Sequence, residues 1–418
     1  FAGPTGSIRT VSFIDVLSGN AGNLENKIIL LGATAPSLHD TQKTPGSGNE
    51  EMSGVEIHGH ILNMFLTNIS FNNFRNFIDK QFKINPNLTA IFGDNAQGKT
   101  NLLEGIYFIL KGEGFRESKE EQLIIFNEKN GYVDAKIEDK KNKDISNLRI
   151  DLTINDLSLT KTYFLEKTKK GRYSYLKNLI PVVLFSPEQI EIIDRTMSIR
   201  REYFDKFLSG INSEYKKRLT NYNQALRKRN KILESGFNSQ NLDAELDYWN
   251  KLLIDNGSYL IFKRKEYTAY LNSNKTIDSK EFSIEYKESP LSLDRFNESL
   301  PKELLIKRTL IGPHRDEYNI FMIDKSSVKK NIHMYGSRSE QRLSLFWLKI
   351  NELKYLEDFF KKKPILLLDD IFSELDHNNQ KLIFNLIGNY QTVVTSTEKK
   401  LTKLINLSDD ASYDTIDL

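Results

Sequence analysis

The stretch from Gly93 to Thr100 limits what this chain can fold into more than any other part of its sequence. It reads Gly-Asp-Asn-Ala-Gln-Gly-Lys-Thr, the G-x-x-x-x-G-K-[ST] spacing of a phosphate-binding P-loop. An apolar run, Leu88–Phe92, precedes it and predicts a strand, and apolar residues at helical spacing follow it. An ordinary glycine turn is the alternative interpretation, which the flanking strand and helix make the weaker one.

Each part of this loop has a predicted chemical role. Gly93 and Gly98 allow a tight turn whose backbone N–H groups face phosphate oxygens. Lys99 reaches the β- and γ-phosphates, and the hydroxyl of Thr100 is a ligand for Mg²⁺. The sequence therefore predicts ATP and Mg²⁺ as cofactors. The predicted nucleotide-binding residues of the loop are Gly93, Asp94, Asn95, Ala96, Gln97, Gly98, Lys99 and Thr100.

A second motif completes the predicted nucleotide site. Residues 364–370 read Pro-Ile-Leu-Leu-Leu-Asp-Asp, a buried parallel-type strand that ends in two carboxylates, as in a Walker B motif. Asp369 is expected to hold Mg²⁺, directly or through water, and Asp370 to act as the general base on the attacking water. The predicted catalytic residues are therefore Lys99, Asp369 and Asp370. The alternative is a strand that happens to end in a solvated turn.

The composition changes near residue 63, where a Gly- and Pro-rich start gives way to a Lys-, Asn- and Ile-rich remainder. Apolar segments up to about residue 185 predict strands, and from about residue 193 aromatic and leucine residues recur at helical spacing. We predict an α/β P-loop ATPase head with an inserted α-helical lobe. The predicted divisions are a partial fragment at 1–63, the head at 64–192 and 302–418, and the lobe at 193–301. Since the chain begins with Phe1, we expect its front end to be cut from something longer.

The overall composition excludes several classes of protein. There are no cysteines, so disulfides and Cys-ligated metals are excluded, and a reducing cytoplasmic location is expected. The apolar runs are too short to span a bilayer, and no secretion signal is recognisable. A net charge of +3 permits nucleic-acid binding but does not demonstrate it.

Two further segments look like parts of ATP-binding-cassette ATPases. Ser373-Glu374-Leu375-Asp376 resembles the D-loop of that superfamily, and residues 336–342 resemble its signature segment at the start of a helix. In that superfamily the signature serine and the helix N-terminus contact the γ-phosphate of ATP bound to a partner subunit. The resemblance therefore makes Ser337 a candidate nucleotide contact across a homodimer.

Taken together, residues 64–418 resemble the RecF family of bacterial recombination mediators, which is related to the SMC-type ATPases. The resemblance rests on the P-loop, signature and Walker B segments and on three further strings, which are Asn73-Phe74-Arg75-Asn76, Leu184-Phe185-Ser186-Pro187-Glu188 and Gly312-Pro313-His314-Arg315-Asp316. It implies an ABC/SMC-like head and adds Arg75 and Asn101 to the predicted nucleotide-binding residues. Arg75 would lie over the α-phosphate or the adenine, and a solvated strand-end arginine is the alternative.

The same resemblance implies a function. Such a protein dimerises on ATP, binds duplex DNA at single-strand gaps and helps to load recombinase during DNA repair and replication restart. It implies a weak, DNA-stimulated ATPase and the partner proteins RecR, RecO and RecA. Another SMC-like ATPase, in defence or chromosome organisation, is the alternative, as is a membrane sensor fragment.

This chain departs from the family pattern at two positions and lacks one residue of the transporters. Ser339 stands where the family usually has Gly, and Glu340 where it more often has Gln. The strand end at 391–397 offers hydroxyl groups where transport ATPases carry a histidine, so we predict slow hydrolysis.

Basic residues in the predicted lobe are candidates for DNA contact, with a solvated helix face as the alternative. They are Lys216, Lys217, Arg218, Arg227, Lys228 and Arg229. Residues 1–63 resemble something different, the C-terminal end of a CHASE-type (second class) extracellular sensor, of which they would be only a fragment.

Overall fold

The computed structural model describes residues 41–42, 52–53, 64–116, 120–139, 145–155, 158–177, 179–235, 242–277, 280–323, 328–374, 380, 383, 386–397 and 413–418. Most of the sensor-like fragment at 1–63 lies outside these residues. The described chain divides into two compact units, residues 1–187 with 352–418, and residues 188–351.

The described elements follow each other in the following order. The strands are β1 (Thr41–Gln42), β2 (Met52–Ser53), β3 (Met64–Phe74), β4 (Phe77–Lys83), β5 (Leu88–Phe92), β6 (Asn130–Asp139), β7 (Ile145–Asn155), β8 (Ser158–Leu165), β9 (Thr168–Lys170), β10 (Val182–Phe185), β11 (Thr276–Ile277), β12 (Lys280–Lys287), β13 (Glu317–Ile323), β14 (Lys329–Asn331), β15 (Ile365–Leu368), β16 (Thr392–Ser396) and β17 (Tyr413–Asp417). The helices are α1 (Lys99–Lys111), α2 (Arg172–Leu176), α3 (Glu191–Asp194), α4 (Met197–Ile211), α5 (Ser213–Ser235), α6 (Leu242–Ser273), α7 (Leu293–Ile306), α8 (Ile332–Tyr335) and α9 (Arg338–Phe360).

A parallel sheet with the order β10-β15-β16-β5-β17 carries the predicted nucleotide motifs in the first unit. Strands β5, β15 and β16 are buried along their whole length, which explains the apolar runs of β5 and β15. Phe92 pairs with Ser396, and Leu368 pairs with Val394. Because the strands are parallel, the residues that follow β5 and β15 meet at one edge of the sheet.

A second sheet in the same unit is antiparallel, with the order β4-β3-β6-β7-β8-β9. Its inner face packs with α1 in a core that contains Phe71, Phe74 and Leu102. Gly105 makes this packing possible, since a Cβ there would lie 2.1 Å from Cε1 of Phe71. A side chain at this position would force the helix off the sheet.

The second unit combines α4–α7 with a four-stranded antiparallel sheet, β11-β12-β13-β14. The predicted lobe ends at residue 301, whereas this unit continues to residue 351. The reason is strand pairing, since β13 pairs with β12 over the full length of β13 and so joins residues on both sides of the predicted boundary. Sequence periodicity does not report which strands pair.

Asn212 separates two helices where the apolar periodicity predicts a continuous stripe. Helix α4 ends at Ile211, and the Asn212 side chain accepts a hydrogen bond from the Tyr215 backbone N–H at 2.9 Å. This is an N-cap contact, so the Asn212 side chain both marks the break between the two helices and caps the second one. Among the described residues, no helix is both long and apolar enough to cross a bilayer.

Candidate nucleotide-binding site

The P-loop turns through two residues with positive φ. Gly98 has φ +110° and precedes the first residue of α1, and Ala96 has φ +67°. A Cβ on Gly98 would lie 2.6 Å from Nδ2 of Asn76, so only glycine fits here. The loop thus presents its backbone N–H groups at the N-terminus of a 13-residue helix.

Lys99 lies back over its own loop. Its Nζ donates to the carbonyl oxygens of Gly93 at 2.7 Å and Asp94 at 2.9 Å, and the residue is 8 % exposed. Both acceptors are neutral, whereas a phosphate carries charge and makes a stronger hydrogen bond with an ammonium group. The lysine is therefore held where an incoming phosphate can replace weaker partners.

The structure brings together the two predicted magnesium ligands, which are 269 residues apart in sequence. The Thr100 hydroxyl donates to Oδ1 of Asp369 at 3.0 Å, and Asp369 is buried. Hydroxyl and carboxylate oxygens are ligands that Mg²⁺ accepts. Within the described residues, no group of three or more His, Asp or Glu side chains could hold a metal. One hydroxyl and one carboxylate are a donor set that suits a cation which also binds nucleotide phosphates and water.

Thr395 joins the two acidic residues of the Walker B segment. Its hydroxyl lies 2.8 Å from Oδ1 of Asp369 and accepts a hydrogen bond from the Asp370 backbone N–H at 2.9 Å. Asp370 has φ +47°, a left-handed conformation that costs energy in a residue other than glycine. From the sequence, Thr395 was one of three hydroxyl residues near a strand end, with no specific role.

Arg75 forms a buried ion pair in this structure. Its Nε and Nη2 donate to the Glu104 carboxylate at 2.7 and 2.9 Å, and Arg116 Nη2 donates to the same fully buried carboxylate at 2.6 Å. The contact of Arg75 with an α-phosphate or adenine therefore stays a prediction. Sequence reasoning gave no role to Glu104, although an acid on the apolar face of α1 indicates a buried ion pair.

Asn76 connects the same segment to the P-loop. Its Nδ2 donates to the Gln97 carbonyl at 3.2 Å, and its Oδ1 accepts from Nδ2 of Asn101 at 2.7 Å. Asn101, a predicted nucleotide-binding residue, thus lies beside the loop and supports it from the helix side.

Ser337 is exposed and precedes α9, in the unit formed by residues 188–351. Its backbone N–H donates to Oε2 of Glu340 at 2.7 Å, and the Glu340 backbone N–H donates to Oγ of Ser337 at 3.4 Å. This reciprocal pair is a capping box. Nζ of Lys330 donates to the same Oε2 of Glu340 at 2.8 Å.

The charge on Glu340 is stabilised by these partners. Partial burial by itself would raise the pKa of Glu340, but the hydrogen bonds from Lys330 and Ser337 outweigh it and hold this pKa below its usual range. The carboxylate is thus ionised at neutral pH, and it accepts the hydrogen bond that the backbone N–H of Ser337 can donate.

The six basic residues proposed for DNA contact divide by helical phase. Eleven residues make just over three turns of a helix, so residues 11 apart lie on nearly the same face. Lys216 and Arg227 are exposed, and so are Lys217 and Lys228.

Arg218 and Arg229, also 11 apart, lie on the face that meets other elements of the lobe. Arg218 pairs with Glu214 and Asp255. Arg229 is 0 % exposed and donates to Glu303 at 2.6 Å, Asn250 and Thr309. The prediction that Arg229 contacts DNA is wrong, because a fully buried guanidinium cannot reach a phosphate.

The string from Gly312 to Asp316 forms part of a buried network in the same unit. Asp316 accepts from Nη1 of Arg264 at 2.6 Å, and His314 Nδ1 lies 2.7 Å from the hydroxyl of Tyr222. Burial lowers the pKa of His314 to about 4, so this imidazole is neutral at neutral pH. The string thus holds the helices and the sheet of this unit together.

Known protein families and curated relatives match most of this chain. The family model described as "RecF/RecN/SMC N terminal domain" matches residues 65–410. A RecF protein of Lachnoclostridium phytofermentans, described as a DNA replication and repair protein, is 33 % identical over 345 residues, which cover 80 % of this chain and 93 % of that protein. A RecF of Clostridium perfringens is 32 % identical over 350 residues, with the same coverage.

Solved structures of RecF proteins are similar to this chain in fold. "Structure of the recombination mediator protein RecF-ATPrS in RecFOR pathway" has a TM-score of 0.72 and 29 % identity, and covers 85 % of this chain and 96 % of that one. The corresponding RecF-ATP structure has a TM-score of 0.69, 29 % identity and coverages of 84 % and 94 %. The molecule is thus an ABC/SMC-like P-loop protein, as predicted. More specifically, the chain belongs to the RecF family of DNA replication and repair proteins.

A CHASE2 domain model matches residues 1–91, which confirms the resemblance seen at the N-terminus. The two family matches overlap from residue 65 to residue 91. In the structure the overlapping residues form β3, β4 and β5, which pair with strands of the head. Residues 65–91 thus belong structurally to the P-loop unit.

Proposed function

We propose that this protein is an ATP-dependent recombination mediator that closes as a homodimer on DNA at single-strand gaps. The observation that carries this proposal is the contact between Thr100 and Asp369, which assembles a P-loop and a Walker B carboxylate at one sheet edge. Family membership supports ATP hydrolysis as the activity. The two solved structures reported above are described as the recombination mediator protein RecF of the RecFOR pathway, with ATPrS and with ATP.

The residues of the P-loop unit divide the chemistry between them. Lys99 would exchange its two carbonyl partners for the β- and γ-phosphates. Thr100 and Asp369 would hold Mg²⁺, which neutralises phosphate charge when it is bound. Asp370 would accept a proton from the attacking water as general base.

The second copy of the chain would complete the site with Ser337. Because the phosphate contacts are then divided between two chains, ATP favours the closed dimer and hydrolysis reopens it. Hydrolysis is expected to be slow, since the strand end near Thr395 offers no imidazole. Stimulation by DNA is proposed from the family resemblance. RecR, RecO and RecA are the proposed partners.

DNA contact is proposed for the exposed basic residues of α5. Lys216 and Arg227 are 11 residues apart, about 16 Å along the helix, which corresponds to roughly five base-pair steps. Lys217 and Lys228 repeat this spacing beside them. Such contacts position a protein on the DNA backbone without reading sequence.

The dimer is tested by measuring the mass of the full chain with ATP, with ADP and with the Lys99→Ala variant. We expect the wild-type chain to form a dimer with ATP but not with ADP, and the Lys99→Ala variant to form none under either condition. A mass that does not depend on ATP would contradict the clamp.

The DNA contacts are tested by measuring affinity for gapped and blunt duplexes over a salt series. The double change Arg227→Met and Lys228→Met is expected to weaken DNA binding and to reduce the slope of log affinity against log salt concentration by about 2. The free energy of unfolding should stay unchanged. Arg229→Met is the matched buried control. It is expected to destabilise the fold by about 3–5 kcal/mol, because Glu303 loses its partner. An unchanged salt slope in the double variant would exclude this face.

A further inference from the structure

The hydroxyl of Thr395 lies between the two acidic residues of the Walker B segment, and the direction of its hydrogen bonds is fixed by chemistry. The Asp370 backbone N–H can only donate, so the Thr395 oxygen accepts at 2.9 Å. Its single proton is then directed to Oδ1 of Asp369, a carboxylate that accepts at 2.8 Å. One hydroxyl thus serves as donor to one residue and acceptor from the next.

Two threonines therefore donate to the same oxygen of Asp369. Thr100 donates from the start of α1, and Thr395 donates from β16 on the other side. Thr395 is fully buried, so water does not compete for this contact. A carboxylate held by two hydroxyl donors keeps its position, which is what a ligand for Mg²⁺ needs.

The second contact acts on the backbone. Asp370 has φ +47°, and its N–H is held by Thr395. If this contact is lost, the residue can relax toward an ordinary conformation, which moves its side chain. Thr395 therefore acts on Asp369 through a side chain and on Asp370 through the main chain.

We infer that Thr395 is a positioning residue that sets how tightly the nucleotide site takes up Mg²⁺ and how Asp370 is aimed. This inference rests on the proposed ATP hydrolysis and adds a third oxygen-bearing side chain around the predicted Mg²⁺ ligands. Thr395 touches neither nucleotide nor metal in this account, and acts only through its two neighbours.

Thr395→Val tests it, because valine keeps the shape and the preference for a strand but removes the hydroxyl. In the full chain we expect the Mg²⁺ concentration for half-maximal ATP binding to rise about tenfold or more, and hydrolysis at saturating MgATP to fall about 10- to 100-fold. ATP binding in EDTA should stay at the wild-type value, because Lys99 and the loop are unchanged.

Two matched variants serve as controls. Thr395→Ser keeps the hydroxyl and should stay within about threefold of wild type in every readout. Thr392→Val removes a hydroxyl from the same buried strand, where it bonds to the carbonyl of Tyr390 at 2.9 Å, and should leave the Mg²⁺ dependence unchanged. If Thr395→Val does not fold, Thr395→Ala, which only removes atoms, carries the same measurements.

The inference is overturned if Thr395→Val keeps the wild-type Mg²⁺ dependence, if Thr395→Ser is as impaired as Thr395→Val, or if Thr392→Val is impaired equally. Failure of the proposed function looks different. In that case the wild-type chain binds ATP no better than Lys99→Ala, whatever residue stands at position 395.

Discussion

The two proposed halves of the nucleotide site hold their binding groups with different kinds of partner. In the P-loop half, Lys99 donates to two neutral carbonyl oxygens, those of Gly93 and Asp94. In the signature half, the N–H of Ser337 donates to the carboxylate of Glu340, whose charge Lys330 balances. At Lys99 a phosphate can replace a carbonyl oxygen with a gain in hydrogen-bond strength. At Ser337 it would be repelled by the Glu340 carboxylate, which already accepts the N–H. We therefore expect the first half to bind ATP by itself and the second half to set how readily the dimer closes.

The largest expected effect tests whether the P-loop half also contains the chemistry. Asp370→Asn removes the proposed general base and should lower the hydrolysis rate by about 100-fold or more. ATP binding and the ATP-dependent dimer should persist, because an uncharged side chain of the same shape leaves Lys99 and Ser337 in place. Single-turnover hydrolysis and mass measurements check the two parts. A variant that hydrolyses ATP normally would place the base elsewhere.

The next effect separates the two halves directly. Lys99→Ala is expected to weaken ATP binding by about 100-fold, since it removes charge-assisted hydrogen bonds to phosphate. Ser337→Ala should leave ATP binding to the monomer within about twofold but weaken ATP-dependent dimerisation by about tenfold. Titration calorimetry at low protein concentration and mass measurements at high concentration give the two quantities.

An equal loss of monomer ATP binding in both variants would remove the distinction between the halves. Such a result would mean that Ser337 acts within its own chain.

The smallest effect concerns the charge at the signature helix. Glu340→Gln keeps an oxygen that can accept from the N–H of Ser337 but removes the negative charge near the proposed phosphate position. It should strengthen ATP-dependent dimerisation about fivefold, and Lys330→Met should weaken it by a similar factor, because the carboxylate then lacks its balancing charge. Dimer dissociation constants at two salt concentrations measure both changes. If both variants shift dimerisation in the same direction, the electrostatic explanation is wrong.

Local motifs account for the part of the site that the sequence predicted. The P-loop and its flanking strand and helix are continuous in sequence, so spacing and periodicity were sufficient to place Gly98, Lys99 and Thr100. The strand at Ile365–Leu368 was recognisable in the same way, by an apolar run ending in acids. The fold class followed from the same patterns and is confirmed by the family match.

Contacts between distant segments account for what sequence patterns missed. Arg229 carries the same charge as Arg227 in the sequence, and only packing against the elements that carry Asn250 and Glu303 shows which of the two is buried. The compact unit extends beyond the predicted lobe for a related reason, since the pairing of β12 with β13 cannot be seen in either strand alone.

The sequence by itself determined the phosphate-binding loop, the acidic strand end and the family. The first two are short continuous motifs, and the family follows from several such motifs together, each of which can be recognised without knowing what it contacts. Only the tertiary structure decided which hydroxyl holds Asp369, which arginine is buried, and that Lys330 lies beside the Glu340 carboxylate that caps the signature helix. Those outcomes depend on strand register, helical phase and burial, and each joins residues that the chain brings together only when it folds.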